Sequence, residues 1–181
     1  MEDKMQGAPS KGLAIKIIIP VLIVAVIGGI WFSKNTKTQA LPGGDTNPDF
    51  ALHVTEAVDI EQLKSYGLPI MIDFGADSCI PCKEMAPVLV KLNKELQGKA
   101  IIKFVDVWKY QELAQGYPIS VIPTQVFFDK DGKPFTPSDP EAMQMYMYSS
   151  RETNEHVFTT HEGGMTEEMI LAVLREMGLE E

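Results

Sequence analysis

The only two cysteines of the chain, Cys79 and Cys82, lie where an apolar run, Pro69 to Phe74 (PIMIDF), meets a helical pattern. From Glu84 to Leu96 that pattern sets Met85, Val88, Leu89, Leu92 and Leu96 on one face. A short apolar run feeding an amphipathic helix reads as a buried strand followed by a helix, the unit from which α/β domains are assembled. Two thiols three positions apart at a helix start face the same side and can close a disulfide with little backbone movement. The first also meets the unpaired N–H groups and dipole of the helix amino end, which favour a thiolate over a thiol of ordinary pKa, about 8.5. Cys79 is therefore the expected nucleophile. Cys82, one turn inside the helix and less exposed, is expected to resolve the mixed disulfide that Cys79 makes.

Other uses of a C-x-x-C pair fit less well. Zinc needs four ligands, and His156 and His161, despite a metal-like spacing, lie far along the chain from Cys82. Covalent haem attachment needs His directly after the second cysteine, where Lys83 stands. An inert disulfide closing so small a loop removes little unfolded-state entropy and is a weak staple. With two cysteines, a disulfide-built scaffold and a polycysteine metal module are both excluded.

The rest of the chain continues the alternation. A helix is expected over Glu56 to Tyr66, ended by Gly67 and Pro69. Strands follow at Ile101 to Val107, Thr124 to Phe128 and His156 to Thr160, with a short helix at Tyr110 to Gly116 and a turn at Asp131-Gly132. Thr166 reads as the N-cap of a last helix running to Gly178, with Glu167 and Glu168 complementing its dipole. The 181 residues are 45% hydrophobic, enough for one compact domain with a short appendage. The net charge of −9, with its 16 basic residues scattered, argues against nucleic acid as a partner.

The appendage is the amino end. Leu13 to Phe32 (LAIKIIIPVLIVAVIGGIWF) is apolar on every face and spans about 30 Å as a helix, the thickness of a bilayer core. Lys16 near its start can snorkel to the headgroups, and Trp31 at its end suits the interface. Lys4, Lys11 and Lys16 bias the amino end toward the cytoplasm, which puts the domain on the outer side. A cleaved signal with Thr38-Gln39-Ala40 as its site is the weaker alternative, because the apolar core is long for a signal peptide. The expected organisation is a cytoplasmic segment 1–12, a membrane span 13–32, a tether 33–50 rich in Pro and Gly, and an α/β domain 51–181.

Six separated motifs complete the reading: Ile72-Asp73-Phe74, Cys79-Ile80-Pro81-Cys82-Lys83, the helix proline Pro87, Lys103-Phe104-Val105-Asp106, Val121-Ile122-Pro123-Thr124, and Gly163-Gly164. In order and spacing they resemble the thioredoxin family, and the resemblance covers roughly Leu52 to Leu179. It implies a thioredoxin fold, a central mixed β-sheet flanked by helices, and a thiol:disulfide oxidoreductase with a Cys79–Cys82 redox disulfide and no cofactor. By the same resemblance Pro123 is a cis-proline that lets the backbone of Ile122 pair with an extended substrate, with Ile80 and Pro81 on the substrate side. Asp73 resembles the buried acid that moves the resolving thiol's proton, and Lys103 its cationic neighbour on the adjacent strand. Pro87 is expected to kink the helix.

Four departures bear on substrate choice. Ser78 and Gly75 replace aromatic residues common in the family, and Ile80 replaces a small residue between the cysteines. Pro81 keeps the pattern of reductants in place of the His of oxidants and isomerases. The expected activity is reduction of protein disulfides outside the cytoplasm, resupplied by a membrane thiol carrier, with cytochrome c maturation proteins as one client class. An oxidant or isomerase is the alternative. The last departure is an insertion at about 134–156 carrying Met143, Met145 and Met147. Their thioethers could ligate Cu(I) in a carrier, or the run could pack on the domain or form an adaptor surface.

Overall fold

The computed structural model describes residues 47–180. The expected cytoplasmic segment, the span 13–32 and most of the tether lie outside them; among the described residues no helix is long and apolar enough to cross a membrane.

Six strands form one mixed sheet in the order β1-β3-β2-β4-β6-β5: β1 (His53–Val54), β2 (Ile70–Gly75), β3 (Ile101–Asp106), β4 (Thr124–Phe128), β5 (Met145–Ser149) and β6 (His156–Glu162). β3 runs parallel to both β1 and β2, β4 is antiparallel to β2, and β6 is antiparallel to β4 and β5. Joining parallel neighbours requires a crossover, and α2 (Ile80–Glu95) supplies it between β2 and β3. Helix α1 (Ile60–Lys64) precedes β2, and α3 (Glu167–Glu176) follows β6.

Every residue of β2 and β3 is buried, as in strands covered on both faces. Alternation sorts their side chains into two layers. Met71, Ile102 and Phe104 pack with Met85, Leu89 and Leu92 of α2 and Ile170 and Leu174 of α3. Ile70, Ile72, Phe74, Ile101 and Val105 pack on the other face with Leu63 of α1. At about 1.5–3 kcal/mol for each large apolar side chain fully buried, these layers are the main source of stability. Asp73 shares the face of Met71 and is enclosed by the first layer.

The elements match the sequence pattern apart from the unexpected short strand β1 and four further differences. The helix expected over 56–66 is only Ile60–Lys64, because Asp59 Oδ1 accepts the Gln62 N–H at 3.0 Å and starts it there, and Gly67 at φ 67° ends it. The short helix expected at 110–116 is a 3-10 turn, Gln111–Ala114. The last residues of the expected tether belong to the domain: Pro48–Phe50 form a 3-10 turn, Tyr66 Oη donates to Asp49 Oδ2 at 2.7 Å, and the Phe50 and Tyr66 rings lie 5.1 Å apart. The insertion contributes β5, an added edge strand on β6. Met145 is buried there and Met143 packs on the same core, so two of the three thioethers fill space; Met147 is exposed.

Candidate active site

Cys79 is the N-cap of α2. Its backbone is extended (φ −78°, ψ 130°), and its Sγ lies 3.4 Å from the Cys82 backbone N, which donates to it. One of the N–H groups that the helix start leaves without an intrahelical partner thus points at sulfur, an arrangement that favours a thiolate over a thiol. Pro81 occupies the first turn, where its missing N–H costs nothing. The two cysteines are joined as a disulfide with their Cα atoms 5.3 Å apart. Both are buried; Cys79 is 8% exposed and Cys82 3%, so the outer sulfur is Cys79.

Around the outer sulfur the surface is apolar. Ile80 is 72% exposed, Val121 and Pro81 are also exposed, and the half-buried Ile122 packs against Ala76, Cys79 and Cys82. The Ile122–Pro123 peptide is cis, and the Ile122 carbonyl lies 3.9 Å from Cys79 Sγ. Two bonds pin the segment: the Pro123 carbonyl accepts from Gly163 N at 2.8 Å, and Thr124 Oγ1 donates to the Val121 carbonyl at 2.8 Å.

Beneath the inner sulfur lies Asp73, fully buried on β2. Asp73 and Gly75 share a face of the strand, and a Cβ added at Gly75 would stand 3.1 Å from Cys82 Sγ and 2.9 Å from Phe104 Cε2. The Cys82 sulfur therefore rests against Gly75, two residues along the same strand face from Asp73, in space that only glycine leaves free. The ring of Phe104 fills the room an aromatic at position 75 would take. Burial pushes the Asp73 carboxyl up to about 7, against the pull of one hydrogen bond, in which Gln125 Nε2 donates to Oδ1 at 2.8 Å. The other oxygen, Oδ2, is buried with no partner among the described residues. A carboxyl balanced near neutrality, with a free oxygen, can take or give a proton.

Lys103 is not the cationic neighbour of Asp73. The parallel register sets Phe104 opposite Asp73 and Lys103 opposite Ile72, on the other face of β3. The Lys103 ammonium instead donates to the carbonyls of Pro48 (3.0 Å) and Ala51 (2.8 Å), and its burial lowers its proton affinity. It ties the Pro48–Phe50 turn to the sheet.

Three polar residues near the site escaped the sequence reading. Gln125, fully buried, is a polar residue in the apolar run TQVFF, the same signal that singled out Asp73. His161, weighed from the sequence as a zinc ligand, lies in β6 and is 2% exposed, with Nδ1 2.9 Å from Gln125 Oε1. Asp106, at the end of β3, organises the loop beside the cysteines. It accepts from the backbone N of Asp77 (3.1 Å), Trp108 (3.0 Å) and Lys109 (3.1 Å), and Lys109 also pairs with Asp77. Burial opposes its charge, but these N–H bonds outweigh burial and hold its carboxyl below the usual range.

A disulfide at a helix start, a carboxyl beneath its inner sulfur and a cis-proline beside its outer one, all carried by a mixed sheet flanked by helices, define a thiol:disulfide oxidoreductase. The chain belongs to the thioredoxin family, whose profile matches residues 52–146. It is 35% identical over 81 residues to a thioredoxin of Mycoplasmoides gallisepticum, a match covering 45% of this chain and 79% of that protein. It is 36% identical over 74 residues to the chloroplastic thioredoxin Y of Oryza sativa subsp. japonica, covering 41% of this chain but only 44% of that protein. Among solved structures, a point mutant of the thioredoxin from Halobacterium salinarum is similar at 25% identity and a TM-score of 0.50, covering 76% of this chain and 98% of that one.

Proposed function

We propose that this chain is a membrane-anchored reductase of protein disulfides, held by residues 13–32 with its thioredoxin-like domain on the extracytoplasmic side. The observation that carries the reductase reading is the placement of Cys79 Sγ, capped by the Cys82 N–H and 3.9 Å from the Ile122 carbonyl beside the cis peptide. An extended substrate pairing with Ile122 would bring its disulfide to that sulfur. The Cys79 thiolate attacks one substrate sulfur and releases the other as a thiolate, leaving a mixed disulfide. Asp73 takes the proton of Cys82, whose thiolate then attacks Cys79 Sγ. The substrate leaves as two thiolates, two electrons richer, which are protonated from solvent; Asp73 returns its proton to solvent, and the Cys79–Cys82 disulfide remains. A membrane dithiol carrier returns two electrons to the pair. Oxidised C-x-x-C-H haem-attachment motifs are one suitable substrate class.

Pro81 supports a reductant, and the exposed apolar rim of Ile80 and Val121 supports a peptide partner. The test is the equilibrium reduction potential of the pair in the full chain, read by thiol alkylation. A value near about −270 mV is expected, and one near about −120 mV would make the protein a disulfide donor. Membrane placement is checked by protease treatment of intact cells: the domain should be cleaved from outside, and a fully protected domain would sink that assignment.

A further inference from the structure

His161 and Gln125 have no part in the exchange chemistry, yet they join Asp73 in one buried chain of hydrogen bonds. Antiparallel pairing of β4 with β6 sets Gln125 directly opposite His161, and pairing of β4 with β2 sets Gln125 opposite Asp73. Asp73 and Gln125 are 0% exposed and His161 2%. Burying three polar side chains in a sheet otherwise packed with Ile, Val and Phe is costly unless each is satisfied or used.

The chemistry of the partners fixes the amide and imidazole protons of the chain. Gln125 Nε2 lies 3.1 Å from the Gly163 carbonyl, which can only accept, and 2.8 Å from Asp73 Oδ1. Its two hydrogens therefore go to these two oxygens; a flipped amide would set oxygen against oxygen at both. Gln125 Oε1 must then face His161 Nδ1 at 2.9 Å, so Nδ1 carries hydrogen. His161 Nε2 is left bare, and it is buried with no partner among the described residues. Burial favours this neutral ring, while the Gly163 backbone and the Glu162 charge pull the other way.

We infer that Gln125 and His161 are a positioning pair for Asp73: the imidazole N–H holds the Gln125 amide in one orientation, so that a fixed donor faces Oδ1 and Oδ2 stays free to exchange the Cys82 proton. The pair weakens the carboxyl's hold on that proton, so Asp73 serves as an acceptor at lower pH than burial alone would permit. This deepens the proposed mechanism and rests on its reading of Asp73 as proton acceptor. The other charged groups on the elements packed around Asp73 are committed or outward. Lys103 of β3 is bonded to Pro48 and Ala51 and Asp106 of β3 to its loop, and Lys83, Glu84, Lys91, Lys94 and Glu95 of α2 are exposed. On α3 Glu167 pairs with Lys91 while Glu168, Arg175 and Glu176 are exposed. On β6 His156 bonds Phe158 and Thr159 while Glu162 faces away from His161 by strand alternation.

The test is a carbon NMR titration of the Asp73 carboxyl in the full chain, disulfide form, with thermal unfolding as a control for fold. Gln125→Met keeps length and bulk but removes the donor, and should raise the Asp73 midpoint by about one pH unit; Gln125→Leu is the second variant should the first fail to fold. His161→Leu should raise the midpoint by less. His161→Asn should restore it, because an asparagine amide nitrogen stands as many bonds from Cα as Nδ1. An unmoved midpoint in the folded Gln125 variants, or in His161→Leu, overturns the pairing. The pH–rate profile of disulfide reduction separates the two readings: it should move with the midpoint. A midpoint that moves while the profile stays sustains the positioning pair and sinks Asp73 as the proton acceptor.

Discussion

The floor beneath the redox pair and the loop after β3 each bury one carboxylate, Asp73 and Asp106, at 0% and 6% exposure, yet the two are driven in opposite directions. Asp73 lies mid-strand, where every backbone N–H near it is spent in the sheet. One amide donor reaches it, and burial lifts it to about 7. Asp106 lies at a strand end, where the turning chain offers three free N–H groups, and it stays charged. Depth and donors act together: Asp73 is enclosed deep in the domain with one amide donor, whereas Asp106 lies close to the surface with three backbone donors and the Lys109 ammonium. The mid-strand position yields an acid balanced near neutrality, the strand end a charged clasp.

The largest expected effect is on stability and comes from Asp73→Asn. A carboxyl whose folded pKa is near 7, above its unfolded 3.8, holds its proton more tightly when folded, so stability falls as pH rises from about 4 through 7. Removing the charge should stabilise the protein by about 4 kcal/mol at pH 9 and by less than about 1 kcal/mol at pH 4. Denaturant melts at both pH values measure this, and equal gains would refute it. The same variant should slow disulfide reduction.

Asp106→Ala should act with the opposite sign. It strands three N–H groups and is expected to cost about 2–3 kcal/mol at pH 7. Because the folded carboxyl lies below its usual range, that stability is present above about pH 4 and is lost as pH falls through the folded value, so wild type and variant should converge in strong acid.

Phe104→Lys would convert one environment into the other. It sets a cation opposite Asp73, and the Asp73 midpoint should fall by about one unit, followed by NMR. An unchanged midpoint would show that the register does not bring position 104 to bear on the acid. The smallest effect belongs to Lys109→Ala. Its ammonium pairs with Asp77 and Asp106 but is solvated, and the three backbone donors remain, so the melting temperature should stay within the scatter of repeat scans.

Local pattern carried the redox centre into view: two cysteines opening an amphipathic helix, an acid in an apolar strand, and a proline before a third strand are each short-range signals. The misassignment of Lys103 shows where such reading fails. A strand alternates faces at every residue, so an error of one position exchanges the residue that meets Asp73 for one on the far side of the sheet. The Gln125–His161 contact joins residues distant in sequence and exists only through the pairing of β4 with β6, which no local pattern encodes. β1 is invisible to such reading because His53–Val54 is too short to show a period, and β5 because its alternating Met and Tyr leave packing, copper binding and an adaptor surface all open.

The added strand β5 changes which backbone the sheet leaves open to other molecules. With β5 in place, β6 is an interior strand, and the outer edges are the two-residue β1 and β5 itself, whose register slips between Tyr148 and Ser149. A short edge and a kinked one are poor templates for another chain's strand. If extended polypeptide is taken at the cis-proline, as proposed above, a blunted rim leaves that place as the one where sulfur chemistry can follow docking.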